Sequence, residues 1–177
     1  MKHKISLLKF EIISTIFIMI LGTILHFTYS WSNNNPIIGT FSAVNESTWE
    51  HLKLIFFPML LSTIFGTFYY KNTYQNYLYI KTKSILIAMF FIVSFYYTYT
   101  GIIGQNIGFI NISSFFIAII IAEYYTYKKI QKTSNCNKKR ALIYLTLLFI
   151  TFITFTFTTP HIGIFKDPLT NTFGIKK

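Results

Sequence analysis

The sequence predicts an all-α fold, a polytopic membrane helix bundle of about five transmembrane helices with the N-terminus inside and the C-terminus outside. Three observations predict it. Charged residues make up only 12% of the 177-residue chain against 53% hydrophobic, whereas a soluble domain carries roughly 25% charged residues. Five apolar runs are each close to the ~20 helical residues that cross a bilayer. The basic residues fall between those runs with a strong bias: one set of alternate segments holds twelve of the sixteen and the other holds four. Cytoplasmic loops are the positive ones, which sets the orientation.

The first run, 8–29, follows Lys2 and Lys4 as a secretory signal would. Its apolar part is too long and no small-residue cleavage site follows it, so it reads as an uncleaved anchor. The second run, 51–70, is announced by Ser47-Thr48-Trp49-Glu50, a capping box in which Ser47 and Glu50 satisfy the first amides of a helix. Pro58 should kink that helix. The third and fourth runs, 85–103 and 109–127, are joined by a short hairpin rich in glycine at 101, 104 and 108. Segment 71–84 is then an inner loop, and Glu123 snorkels to the inner interface near Lys128. A basic segment, 128–140, faces anionic headgroups.

The fifth run, 141–159, contains an alternation of threonine with phenylalanine and isoleucine that looks like a strand. An open strand in lipid leaves backbone groups unpaired at several kcal/mol each. A helix with threonine hydroxyls bonded back to carbonyls one turn earlier is the better reading. The tail 160–177 lies outside. The thirteen tyrosines cluster near the predicted helix ends and Trp31 and Trp49 flank spans, as an aromatic belt requires. The whole chain, 1–177, reads as one integral membrane domain of the bacterial cytoplasmic membrane.

The net charge of +11 does not indicate nucleic acid, because the basic residues interrupt apolar runs and form no continuous face. The lipid bilayer is the expected partner, with a membrane-protein partner or a second copy of the chain as a further one. The single Cys136 excludes an intramolecular disulfide.

With this topology the scarce functional residues gather on the outer face. His26 sits about one turn from the end of the first span, Glu46, Glu50 and His51 open the second, His161 follows the fifth, and Asp167 lies in the tail. Three imidazoles and two or three carboxylates suit a divalent metal such as zinc, with a spare carboxylate, Glu46 or Glu50, in the catalytic role of general base. His26 is the most informative of them, since an imidazole within an apolar span is costly without a partner. Asn45, Trp49 and Asp167 are the candidate interaction residues.

His26-Phe27, Trp31-Ser32, Asn35-Pro36-Ile37-Ile38-Gly39, the stretch from Phe41 to Lys53 with its Asn-Glu-Ser-x-Trp-Glu-His-Leu-Lys motif, and the tail from Phe165 to Gly174 together resemble an uncharacterised family of small bacterial multi-helix membrane proteins, a domain of unknown function. The resemblance implies the membrane architecture and no activity. The residues themselves lead first to a non-catalytic membrane subunit or envelope-assembly partner, docked through the motif with Trp49 as anchor. The alternative is a metal-dependent membrane hydrolase with an outward His/Glu site, acting on a lipid or envelope substrate. A transporter ranks third, because five spans do not form two matching halves.

Overall fold

The computed structural model describes residues 5–132 and 136–175. Its helices are α1 (Leu7–Trp31), the single turn α2 (Pro36–Gly39), α3 (Thr48–Tyr69), α4 (Tyr77–Ile103), α5 (Gly108–Ile130) and α6 (Lys138–Phe157), followed by one 3-10 turn, Gly163–Phe165. Five of them are long and apolar enough to cross a membrane. The fold is all-helical, with no strand among the described residues; one antiparallel bridge, Lys166 to Phe173, folds the tail on itself.

Local chemistry accounts for four of the helix starts. Ser6, Asn35, Ser47 and Asn137 each accept a backbone N–H of the first turn that follows, and Pro36 stands where its missing N–H costs nothing. In α6 the hydroxyls of Thr151, Thr156 and Thr158 donate to the carbonyls of Leu147, Phe152 and Thr154. The alternating stretch is therefore helical, with its hydroxyls satisfied inside the helix.

α3 is the central helix: most of its apolar stretch is buried, against about a quarter in each of the other four. It packs on α1 and α4, α5 closes against α1 and α4, and α6 lies on α4. Phe152 of α6 also meets Phe56 and Trp49 of α3. Ile18, Ile55, Phe56, Met59, Ile85, Ala88 and Ile119 form the core.

Pro58 sits inside α3 and has no N–H to offer the Leu54 carbonyl. The backbone of α1 fills that place. A Cβ added to Gly22 would lie 2.5 Å from the Leu54 carbonyl oxygen, so only glycine lets the two helices touch there.

α4 starts at Tyr77, inside the segment 71–84 expected to be a loop. Lys81 is fully buried there, its Nζ 2.5 Å from Glu123 of α5 and 3.0 Å from Glu11 of α1. Two carboxylates neutralise the charge that, unpaired, forbids a span. Glu123 correspondingly does not snorkel toward Lys128; it is buried against Lys81. The Tyr77 hydroxyl donates to Glu11 at 3.1 Å, and the Ser14 and Ser62 hydroxyls pair at 2.5 Å. Around this cluster Leu7, Tyr70, Tyr77 and Ile130 form a smaller core at the end of the bundle opposite the motif.

Candidate metal centre

The motif stretch is shaped by hydrogen bonds on both sides. Ser42 reaches into the last turns of α1: its hydroxyl accepts from the Tyr29 N–H at 2.9 Å and donates to the Leu25 carbonyl. Asn45 accepts from the Ser47 N–H at 2.9 Å and donates to the Gly174 carbonyl at 3.0 Å. The loop between α2 and α3 is thereby held against α1 on one side and the tail on the other, with Glu46 at its crest.

Ser47 caps α3 as expected, accepting from the Glu50 N–H at 3.3 Å. The reciprocal half of the capping box is absent. The Glu50 carboxylate accepts from the Val44 N–H at 2.9 Å and meets the Lys53 ammonium at 2.5 Å. Lys53 is fully buried and also donates to the Gly39 carbonyl and the Thr156 hydroxyl. Burial of such a pair requires saturated hydrogen bonding, and these contacts supply it. Glu50 and Lys53 thus tie α2, α3 and α6 together, and Glu50 is not part of a metal-ligand group.

Glu46 is different. It is half-exposed and bridges two imidazoles, with His51 Nε2 3.3 Å from one carboxylate oxygen and His26 Nε2 3.9 Å from the other. The two rings are 5.4 Å apart, edge to face. One ligand atom from each of His26, Glu46 and His51 falls within 4.8 Å of the others. Tetrahedral arms of about 2 Å put ligand atoms roughly 3.3 Å apart, so one edge is already at length and the others close with small side-chain rotations. The His51 hydrogen bond, against the opposing effect of half-burial, holds the Glu46 carboxyl below the ordinary carboxylate range. His26 Nδ1 is buried without a hydrogen-bond partner, which makes a strong bond at Nε2 more valuable.

The other expected site residues lie elsewhere. His161 is exposed and its ring lies tilted at 31° against Phe173, ring centroids 4.7 Å apart, outside the group of three. Trp49 turns inward, its ring against Phe152, Phe155 and Phe165. Asp167 is buried and accepts from the backbone of Leu169 at 2.8 Å, Thr170 at 3.2 Å and Glu46 at 3.5 Å. Burial pushes its carboxyl up, but these bonds outweigh it and hold it below the usual value. Its work is to shape the tail and carry it onto the motif.

Sequence reasoning missed Lys53 as a buried partner of Glu50, and it missed the whole Glu11–Lys81–Glu123 group. The available signal was the presence of acids and a lysine within apolar helical periods, where an unpaired charge is not tolerated.

Two cavities meet at His26 and Phe27. One, of about 450 Å³, is lined by polar and apolar side chains in about equal measure and reaches the tail. The other, of about 170 Å³, is apolar and lies between α1, α3, α4 and α5, with His51 also on its wall. No curated protein and no solved structure matches the chain. A family model matches residues 1–175, and with that cover the chain belongs to a family of unknown function, DUF6512.

Proposed function

We propose that this chain is a metal-dependent membrane hydrolase, working at the outer face of the bacterial cytoplasmic membrane through His26, Glu46 and His51. The convergence of these three side chains from α1, the α2–α3 loop and α3 is the observation that supports it most. Chance is a poor account of it, since the chain has only four histidines and five acids. A zinc-like ion on three protein ligands keeps a position for water and lowers the pKa of that water to about 7. The protein's own part is to hold two imidazoles and one carboxylate on rigid helix ends and to keep the competing carboxylate, Glu50, locked on Lys53. The Gly22 contact sets α1 against α3 one turn below His26. The subunit reading took Trp49 as a docking anchor; that ring packs against Phe152, Phe155 and Phe165.

Metal analysis of the detergent-purified full chain tests the proposal. One zinc or cobalt ion per chain is expected. His26→Ala and His51→Ala should each weaken binding by about tenfold or more, and His161→Ala should leave it unchanged. A protein that binds no zinc, cobalt, manganese or iron and is indifferent to His26→Ala would overturn the reading.

A further inference from the structure

The two cavities differ in chemistry and share a wall, and this narrows the substrate of the proposed site, on whose reading the inference rests. The tail-side cavity is of mixed character and carries most of the polar groups, Ser30, Asn34, Asn45, Glu46, Asp167 and Thr170, beside Tyr29, Ala43, Val44 and Leu169. The apolar one is lined by Gly22, Phe27, Leu54, Ile92, Ile112 and Phe115. His26 borders both, so the ligand group stands at the boundary between the more polar chamber and a greasy slot. A molecule that fills both is an amphiphile, with its reactive bond at the junction.

Charge selects the headgroup. No lysine or arginine is among the described residues lining either cavity, whereas Glu46 and Asp167 both line the tail-side one. A divalent cation there only balances these two carboxylates. A phosphate ester headgroup would find no arginine fork or lysine to hold it, the usual means of phosphate recognition. Hydroxyl and amide groups of the headgroup, by contrast, match the serine, threonine and asparagine side chains of the chamber.

The slot selects the other end. An apolar cavity of about 150 Å³ takes a benzene-sized group, so the ≈170 Å³ here holds the first carbons of a chain. Ile112, 60% exposed, stands at its α5 wall, where the rest of the chain passes into the bilayer.

We infer that the substrate is a long-chain carboxylic ester or amide with an uncharged polar headgroup. The headgroup lies in the tail-side chamber, the carbonyl at His26–Glu46–His51 and the acyl chain in the slot. The reaction is hydrolysis. Water's oxygen bonds to the acyl carbon, the acyl bond to oxygen or nitrogen breaks, one water hydrogen ends on the departing headgroup, and a fatty acid is released with no change of oxidation state.

The test uses the zinc-loaded full chain in phosphatidylcholine nanodiscs, with monododecanoylglycerol, monobutanoylglycerol and dodecyl phosphate as probes. Dodecanoic acid should be released from the first roughly tenfold or more faster than butanoic acid from the second. Dodecyl phosphate should not compete. Ile112→Trp, which fills the slot from its lipid side, should remove the long-chain preference while zinc remains at one ion per chain. Zinc binding with no acyl hydrolysis, with equal rates for the two esters, with competition by dodecyl phosphate, or with an indifferent Ile112→Trp would overturn the substrate inference and leave the metal site standing. Absence of zinc from the wild-type chain would remove both.

Discussion

Glu46 and Glu50 stand one helical turn apart in sequence and do opposite things. Glu50 is buried, and its charge is consumed by Lys53 and the Val44 amide. Glu46 is half-exposed and faces two imidazoles. Environment alone makes one a fastener and the other a candidate ligand. The Glu46 carboxyl, ordinarily near 4.5, is lowered in the folded chain. A depressed folded value stabilises above the unfolded value and loses that contribution as pH falls through the folded one. Metal-free protein in micelles should therefore melt higher than Glu46→Gln at pH 6, and the gap should shrink on acidification below about pH 4. Thermal unfolding followed by circular dichroism checks this, and a gap unchanged from pH 6 to pH 3 would show that the contact carries no such linkage.

Between elements, one buried polar tie is Lys81, which gathers one acid from α1 and one from α5 onto α4. Removing only the cation would leave two carboxylates buried together. Lys81→Met should therefore destabilise the bundle by about 3–5 kcal/mol, and adding Glu11→Gln and Glu123→Gln should recover most of that loss. Denaturant unfolding in mixed micelles measures it; a Lys81→Met protein as stable as wild type would refute the role of this tie. The same scale explains His161. It follows α6 by a short turn, but the tail is pinned by Asn45 to Gly174 and by the Lys166–Phe173 bridge. That path sets His161 on Phe173 and away from the other two imidazoles.

For the whole molecule, we propose the direction of insertion from the charge bias of the connecting segments. Several of the counted residues, Lys2, Lys4, Lys176 and Lys177, lie outside the described residues, and two others, Lys53 and Lys81, are buried in ion pairs. The segment 128–140 still carries six basic residues, which weigh heavily in the positive-inside rule. With the motif end outward, a cysteine placed at the exposed Leu169, in a Cys136→Ser background, should react with an impermeant maleimide in intact cells. Native Cys136 should react only after permeabilisation. The reverse pattern would turn the candidate site toward the cytoplasm.

What could be read from the sequence was local or compositional. Helices of membrane length, the Ser47 cap and the threonine back-bonds of α6 depend on residues within about four positions of one another or on mean hydropathy. The meeting of His26 with His51 was legible because topology places both at the same end of neighbouring spans. The tertiary structure alone decided the rest, because the partners are far apart along the chain. Lys53 finds Thr156 across 103 positions, Lys81 finds Glu123 across 42, and Tyr77 finds Glu11 across 66. A charge looks exposed in sequence until its counter-charge is brought to it, and only packing α1 against α3, α4 and α5 does that. The same packing turned Trp49 inward and left Glu46 between two histidines.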